Sequence, residues 1–316
     1  MSRTSGFTLV ELMVAMLLGL VVIAGVGSLF LSNQQVYRTN KALSDVQDSA
    51  RIAFEMMARD VRAAGLSGCE NSGRVANVVK GGNWWTDWNN AVKGYGAGQT
   101  DPVAGANRLA GTDSLMLLGA QPSGLSVKAN AEPTGSFTLN ESATSLQTGD
   151  IILVCDPDHA TLVQVSGVSG TTLTHDTSGA PGNCTKDLNY PTVCSSTSSY
   201  VFVPNSQIAK LNASHWYVGK TANGSSLYRA SLTTGASGAA TVVASELVRD
   251  VTGLSLSYHQ SGNAGFAAAS DITDWNKVDA LRATLTIIST DRRAGTSAKP
   301  VTRSFTTTTT IRNRVR

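Results

Sequence analysis

The charged residue most out of place in this sequence is Glu11, because it lies inside an apolar run. Between Phe7 and Leu31 it is the single charged residue among 25. An ionisable side chain in a membrane segment is costly and usually has a partner. The simplest interpretation is a carboxylate that reaches the lipid headgroups. If the chain were cut after Gly6, Glu11 would instead lie one helical turn from a new α-amino group, near the positive end of the helix dipole. It could then neutralise that amine or a neighbour's, and in a low-dielectric environment the pairing would set the register of packed helices.

Four cysteines form the second group of residues whose chemistry matters. They are Cys69, Cys155, Cys184 and Cys194. No two form a CxxC pair and the four histidines are scattered, so the spacing gives no basis for a zinc site. An even count in an exported chain favours two disulfides, for which three pairings are possible. We favour a local Cys184–Cys194 bridge and a long Cys69–Cys155 bridge, and four buried free thiols are the alternative.

The other candidates for catalysis or metal binding have ordinary structural explanations. Asp271, Asp274 and Asp279 do not have the spacing of an EF-hand calcium loop. His159, in the tetrad DPDH, is typical of turn chemistry. The sequence has no GxSxG, HExxH or phosphate-binding glycine loop. We therefore expect no enzyme activity, no cofactor and no metal.

Three of the five tryptophans lie in the stretch GGNWWTDWNN at 81–90, as Trp84, Trp85 and Trp88. Exposed aromatic side chains can stack on sugars or anchor a protein partner, so these residues are a candidate partner surface. The interpretation that we favour is that they cover the core of their own domain beneath a long loop.

The C-terminal stretch 280–316 is basic, with eight Lys and Arg residues and Asp291 as its one acid. Arg312, Arg314 and Arg316 alternate, which predicts that they share one face of a strand. Such a face could contact nucleic-acid phosphates. Without interleaved aromatic residues, an edge strand protected by charge is the favoured interpretation, and no nucleic-acid partner is predicted.

Composition places these groups in an exported, β-rich protein. Of 316 residues, 15% are charged and 6% are aromatic, and the net charge is +3. Abundant Gly, Ser and Thr are typical of all-β or loop-rich domains rather than of helical cytosolic enzymes. The small net charge gives no argument for an anionic partner.

One long helix is predicted over Phe7–Ala64. The run 7–31 exceeds the apolar core of a secretory signal and suits a membrane span of ~20 residues. In 32–64 apolar residues recur at helical spacing, which predicts an amphipathic continuation of the same helix. The stripe comprises Val36, Leu43, Val46, Ala50, Phe54, Met57 and Val61. Gly65 then predicts the end of the helix.

The remaining residues, 65–316, are predicted to form a large globular head. Short alternating runs separated by Gly, Asn or Asp are typical of strands. Strands and helices do not alternate, which argues against a parallel-sheet fold. The predicted fold class is α+β, with the helix packed on antiparallel sheet.

Residues 6–16, GFTLVELMVAM, closely resemble the type III signal of type IV pilins and pseudopilins. The resemblance implies that residues 1–6 are a leader peptide, which prepilin peptidase removes between Gly6 and Phe7. It also implies N-methylation of Phe7. Glu11 matches the acid that recognises a neighbour's terminal amine during assembly.

Weaker motifs along the rest of the chain resemble, in their order, the PilW family of minor pilins. They are ARDVRAAGLSGCE at 58–70, GDIILVCDPDHATLVQVSG at 149–167, WYVGK at 216–220, SLYRASL at 226–232, ELVRDVTGLSLSY at 246–258 and the terminal TTTTTIRNRVR. The resemblance implies a structural subunit that helps to prime type IV pilus assembly and supports motility and adhesion. It also implies other minor pilins, the major pilin, prepilin peptidase, the inner-membrane assembly platform and a tip adhesin as partners.

The resemblance further implies a single-pass protein of the bacterial inner membrane, with its head in the periplasm before assembly and on the pilus surface afterwards. A head of ~250 residues has a radius of gyration of about 18 Å and would crowd its neighbours along a shaft, which favours few copies at the tip. Two alternatives stay open. One is the tip pseudopilin of a type II secretion system, and the other is a membrane-anchored adhesin or DNA-uptake receptor.

Overall fold

The structure is a computed structural model that describes residues 6, 8–69, 74–132, 134–192, 194–195, 199–312 and 314. Its chain divides into two compact units. The first unit is Met1–Ser49 with Ile288–Arg303, and the second is Ala50–Ile287 with Ser304–Arg316. The predicted leader apart from Gly6, the predicted new terminus Phe7, and Arg316 lie outside the described residues.

A single helix, α1, spans Leu9–Ala63, close to the predicted bounds. It runs without a break through Gly19, Gly25 and Gly27. Gly65 follows with a φ of 73°, the left-handed conformation that commonly ends helices and that glycine adopts without strain. The Gly65 N–H donates to the carbonyl oxygen of Leu118 at 2.8 Å, so the end of the helix is tied to the head.

The last turns of α1 pack into the second unit through an apolar face. Ala53, Met57 and Val61 are at most 2% exposed, as helical spacing predicts. The prediction was wrong for Val36, which belongs to the first unit and is 55% exposed. On that turn the helix uses polar side chains for its contacts.

The strands of the structure have the following bounds. They are β1 Val75–Asn77, β2 Val92–Tyr95, β3 Ser114–Ala131, β4 Ser136–Leu139, β5 Ile151–Cys155, β6 Ala160–Gln164, β7 Gly167–Ser169, β8 Thr172–Thr174, β9 Gln207–Thr221, β10 Gly224–Thr234, β11 Ala240–Arg249, β12 Val251–Gln260, β13 Phe266–Ala267, β14 Val278–Ile288 and β15 Thr302–Thr310. Short 3₁₀ turns occur between them, including Trp84–Thr86, Trp88–Asn90, Gly105–Asn107, Ala269–Asp271 and Trp275–Lys277.

Within the described residues, eleven strands form one sheet with the order β1-β6-β5-β9-β3-β4-β8-β7. Strands β10 and β11 extend from β9, and β2 pairs with β3. Four further strands form a sheet with the order β13-β12-β14-β15. The predicted α+β class is confirmed. The sheet is mixed rather than wholly antiparallel, because β1 pairs with β6 in parallel.

The large sheet is built around strands that are buried along their whole length. All five residues of β5 and all five of β6 are buried, which explains their continuous apolar runs. One core cluster contains Phe137, Ile152 and Phe202, and another contains Leu153 and Leu162. Burial of the side chains in these clusters stabilises the head.

Two disulfides join Cys69 to Cys155 and Cys184 to Cys194, which is the pairing favoured from the sequence. Their Cα atoms are 5.9 and 5.4 Å apart, within the ordinary range for disulfides. Cys155 is fully buried at the end of β5. The long bridge therefore ties the segment that follows α1 to the central sheet.

The predicted face of alternating arginines is not formed. Strand β15 ends at Thr310, and Arg312 and Arg314 follow in a turn. The Arg314 guanidinium is mostly buried and donates to the carbonyl oxygens of Trp275 at 2.5 Å and Val278 at 3.3 Å. Burial lowers the pKa of Arg314. This arginine is used inside the head, so it is not part of a basic surface.

Candidate assembly site at the start of the helix

The first half of α1 is an exposed apolar surface. Its large hydrophobic side chains from Leu9 to Leu31 are 52–74% exposed. An 18-residue window there has a mean hydropathy of 2.6, and none of it is buried. These 23 residues would extend about 34 Å, enough for a hydrocarbon core of about 30 Å. Among the described residues, α1 is the one helix long and apolar enough to cross a membrane.

The helix begins with a capping box formed by Thr8 and Glu11. The Glu11 N–H donates to Thr8 Oγ1 at 3.3 Å, and the Thr8 N–H donates to Glu11 Oε2 at 3.1 Å. The Thr8 hydroxyl also donates to Glu11 Oε2, at 3.0 Å. The spacing Thr-x-x-Glu is the sequence signature of this cap. From the sequence, Glu11 was explained by the lipid headgroups or by a terminal amine, and the cap with Thr8 was not predicted, although the Thr-x-x-Glu spacing was the available signal.

The cap uses one of the two carboxylate oxygens of Glu11. All of its hydrogen bonds within the described residues reach Oε2, which leaves Oε1 able to accept another donor. The side chain is exposed, so a group from outside the chain can approach Oε1. A carboxylate held in this orientation suits an ammonium donor, since charge-assisted hydrogen bonds are the stronger kind. Gly6 is also exposed, while Phe7 lies outside the described residues.

A second carboxylate, Asp60, fixes the other end of α1 to the head. Arg229 of β10 donates from Nε to Asp60 Oδ2 at 2.7 Å and from Nη2 to Oδ1 at 3.1 Å. Trp216 of β9 donates from Nε1 to the same Oδ2 at 2.9 Å. The Asp60 side chain is 8% exposed and that of Arg229 is 23% exposed. This anchor was not predicted from the sequence, where its one local signal is an acid on the buried face beside Met57 and Val61.

The predicted partner surface at the tryptophans is wrong for two of its three members. Trp85 and Trp88 are 3% and 9% exposed and pack in a core cluster with Leu153 and Leu162. Trp84 is partly buried, with its ring edge-on to His215. The favoured interpretation, that these residues cover the core, is the one that the structure supports.

The predicted turn at His159 is confirmed. Asp156 Oδ1 accepts the N–H groups of Asp158 at 2.9 Å and His159 at 3.2 Å. The His159 ring is fully buried between Asp158 and the carbonyl oxygen of Leu188. One ring nitrogen thus contacts the turn, and the other contacts the backbone of Leu188.

The three aspartates considered for calcium serve local contacts. Asp279 pairs with His259 Nδ1 at 2.6 Å, and Asp274 accepts the N–H of Asn276 at 3.0 Å. Asp271 lies in a 3₁₀ turn. Within the described part of the chain, no group of three His, Cys, Asp or Glu side chains is placed to hold a metal ion.

Comparison with known proteins gives one match. The prokaryotic N-terminal methylation motif matches residues 1–27, which include Thr8, Glu11 and much of the exposed apolar stretch. No curated protein and no solved structure matches the chain. The motif indicates a type IV pilin-like protein, and together with the apolar helix it fits a pilin with a single membrane anchor.

Proposed function

We propose that the chain is a minor pilin, a non-enzymatic structural subunit that works without a cofactor. The observation that carries the proposal is the exposed Glu11, whose Oε1 accepts no hydrogen bond among the described residues, at the start of an unburied apolar helix that bears the methylation motif. Before assembly, this helix holds the protein in the bacterial inner membrane as a single pass, with the head in the periplasm. After assembly, the subunit is part of the pilus at the cell surface.

The proposed mechanism begins with cleavage between Gly6 and Phe7 by prepilin peptidase. Phe7 then carries a methylated ammonium group, which stays charged at neutral pH. Glu11 Oε1 accepts this group from an adjacent subunit while Oε2 stays in its own capping box. Inside a bundle of apolar helices, an unpaired charge is costly, so the pairing selects one axial register between neighbours.

The finer assignment is to the PilW type, which primes pilus assembly and lies at or near the tip. It rests on the order of motifs along the chain and on the size of the head. Two motif residues, Trp216 and Arg229, form the Asp60 anchor, so at least this part of the pattern has a structural reason. The partners proposed are other minor pilins, the major pilin, the inner-membrane assembly platform and a tip adhesin, and the output is pilus-dependent motility and adhesion.

Mass spectrometry of the protein from its native cells tests the proposal. We expect a chain that begins at Phe7 with one added methyl group, present in far fewer copies than the major pilin in sheared pili. The matched control is Gly6→Leu, which should keep its leader and stay out of pili. Recovery of functional protein with its leader attached would overturn the pilin assignment. A copy number equal to that of the major pilin would overturn only the minor, tip-located role.

A further inference from the structure

Strand β11 is the last strand of the branch that leaves the large sheet through β10. Among the described residues it pairs with β10 alone, apart from one isolated bridge at Ala239. Residues 241–246 are all exposed, although side chains along a strand alternate between its two faces. Val242 is 39% exposed and Val243 is 50% exposed. The stretch 241–246, here called the open edge, is therefore uncovered on both faces.

The hydrogen-bond pattern shows which backbone groups of the open edge point outward. The Gly235 N–H donates to the carbonyl oxygen of Ala239 at 2.8 Å, which makes these two residues a hydrogen-bonded pair at the end of the β10–β11 hairpin. Hydrogen-bonded and non-hydrogen-bonded pairs alternate along antiparallel strands, and the register continues without a shift as far as Glu246. The N–H groups of Val242, Ala244 and Glu246 therefore point away from β10. They are called the outward amides below, and those of 241, 243 and 245 the inward amides.

The chain itself uses the outward N–H that precedes the open edge. Ala240 donates this N–H to the carbonyl oxygen of Ala180 at 2.9 Å, and Ala180 forms a parallel β-bridge with Ala239. The next N–H that could extend a parallel ladder is that of Gly182, which instead donates to the side chain of Gln164 at 2.6 Å. Backbone pairing is thus the contact that this edge makes within the chain, and the pairing stops just before the open edge.

The open edge lacks the features that keep other edge strands from pairing. Natural edges are protected by Lys or Pro residues, by bulges or by a covering element. Residues 240–245, ATVVAS, contain no charged residue and no proline. The register shift of the hairpin lies between Leu227 and Tyr228, opposite the far end of β11. Val242 and Val243 are β-branched and favour extended backbone, so the sequence also suits the addition of a strand.

A second copy of the chain is a poor occupant for this edge. Antiparallel pairing joins outward residues of the two strands, and the Ala240 N–H is already engaged. In a symmetric pair of open edges, Glu246 of one copy would face Val242, Ala244 or Glu246 of the other, and never a Lys or Arg. An acid opposite an apolar side chain gains no attraction, and two opposed acids repel each other. A different polypeptide, with apolar side chains at the valines and a cation or polar group near Glu246, fits better.

We propose that the open edge binds an extended strand of a different pilus subunit, which adds to β11 through backbone hydrogen bonds. The inference rests on the proposed function and deepens it, because it assigns a partner-binding surface to the head. The added strand would accept the outward amides and place its side chains against Val242 and Val243. Strand addition of this kind takes affinity from main-chain hydrogen bonds and specificity from the alternating side chains.

Hydrogen–deuterium exchange at single-residue resolution tests the proposal. It is measured on the full chain in detergent, alone and in the complex that it forms with the other minor pilins of its native cells. In the chain alone, the inward amides should exchange slowly and the outward amides rapidly. In the complex, the outward amides should become protected by at least about tenfold. A partner that covers side chains alone would not produce protection at every second residue.

Two variants test the same contact through affinity, measured by titrating the full chain into the other minor pilins. Ala244→Pro removes the central outward N–H and keeps the bonds to β10, so the complex should weaken by about tenfold. Ala244→Ser keeps the N–H and is the matched control. Val242→Lys leaves the backbone unchanged and places a charge on the edge, which should also weaken the complex by about tenfold. Its control, Thr138→Lys, adds the same charge at an exposed position of β4, which has a strand on each side.

Three results would overturn the inference. They are outward amides that stay unprotected in the complex, normal affinity of both Ala244→Pro and Val242→Lys, and outward amides that are protected in a dimer of the chain alone, which would identify a second copy as the occupant. If Ala244→Pro disrupts the hairpin, its inward amides will exchange rapidly, and Val242→Lys then decides. A complex that forms without protection of the outward amides contradicts this inference alone, whereas a chain that joins no complex and no pilus contradicts the proposed function as well.

Discussion

Two carboxylates at opposite ends of α1 use the same chemistry in different ways. Asp60 is 8% exposed on its side chain, and both of its oxygens accept bonds from Arg229 or Trp216. Glu11 is exposed, and within the described residues its bonds all come from Thr8 and reach one oxygen. Asp60 is thus satisfied inside its own chain, while Glu11 keeps an acceptor for another molecule.

The contrast separates folding from assembly along one helix. Ala53, Met57 and Val61 around Asp60 are buried in the head, so the acid there can act only on the stability of the fold. Around Glu11, Leu12 and its apolar neighbours are exposed, so the acid acts on whatever covers them. Substitutions at the two positions should therefore affect different measurements.

The largest expected effect is on folding, from Asp60→Asn. This substitution leaves the Arg229 cation mostly buried without an anion, which should lower the free energy of unfolding by about 4 kcal/mol. Urea unfolding of the full chain in detergent, followed by tryptophan fluorescence and circular dichroism, measures it. The control is Glu55→Gln, whose exposed pair with Arg51 should contribute less than about 1 kcal/mol.

A double variant sharpens this prediction. Asp60→Leu with Arg229→Met removes both charges and replaces them with apolar groups, so it should recover most of the loss from Asp60→Asn. If Asp60→Asn unfolds at the same urea concentration as the wild type, Asp60 is not the anchor that its contacts indicate.

The next effect is on assembly, from Glu11→Gln. The amide keeps the shape of the side chain but cannot neutralise an ammonium group, so incorporation of the subunit should fall roughly a hundredfold. Quantifying the subunit in sheared pili measures this, with Glu55→Gln as the control on the same helix. Urea unfolding of Glu11→Gln should match the wild type. Normal incorporation would show that the helix is only an anchor, and the contrast with Asp60 would disappear.

The sequence alone predicted the features that depend on local patterns. Helical spacing and the length of the apolar run sufficed for α1. The isolated charge singled out Glu11, whose role in assembly stays a prediction. The Asp60 anchor could not be predicted in this way, because its partners are 156 and 169 residues away. Which strands come together in the head is not encoded in any short window of residues.

Two errors in the head have the same physical origin. Burial of Trp85 depends on how its turn meets β5 and β6, so the local sequence could not exclude an exposed surface. The alternation of Arg312 and Arg314 continues past the end of β15 at Thr310, where it no longer describes a strand. A pattern of alternating residues predicts a shared face only while the backbone stays extended.

A third carboxylate, Glu132, is buried and, among the described residues, has no Lys or Arg at ion-pair distance. Its side chain is 2% exposed, and it lies 3.5 Å from His175 Nε2. Burial raises the pKa of Glu132 to about 7, with Asp187 adding to the effect and Asn130 and Lys186 opposing it. Burial also lowers the pKa of His175 to about 4, so the imidazole is neutral and offers no positive charge at neutral pH.

The raised pKa of Glu132 predicts a loss of stability with rising pH. The unfolded chain releases the Glu132 proton above the ordinary pKa of 4.5, whereas the folded chain keeps it up to about pH 7. The contribution of this proton to the stability of the fold is therefore complete below pH 4.5 and is lost as pH rises through about 7. Glu132→Gln lacks the ionisation. The free energy of unfolding of Glu132→Gln minus that of the wild type should therefore increase by about 2 kcal/mol from about pH 5 to about pH 8.

Urea unfolding at both pH values measures this difference, with Glu55→Gln as an exposed control. The titration of His175 contributes to both proteins, since its lowered pKa reduces stability as pH falls from 6.5 through about 4. If wild type and Glu132→Gln lose stability in parallel, Glu132 is ionised in the folded chain and resembles Asp60 more than the buried neutral acid described above.

The smallest effect, from Thr8→Ala, tests how Glu11 is held ready for its partner. Removing the hydroxyl deletes the bond to the Glu11 N–H and one of the two bonds to Oε2, which should cost about 1 kcal/mol at the start of the helix. A less ordered carboxylate binds a neighbour less well, because more of its freedom is lost on pairing. Incorporation into pili should therefore fall by about fivefold. Thr8→Ser keeps the hydroxyl and is the matched control.

Two outcomes would contradict this role of the capping box. If Thr8→Ala reduces incorporation as severely as Glu11→Gln, the threonine contributes directly to the contact between subunits. If Thr8→Ala has no effect, the capping box serves the helix alone, and the orientation of Glu11 is set by the neighbouring subunit.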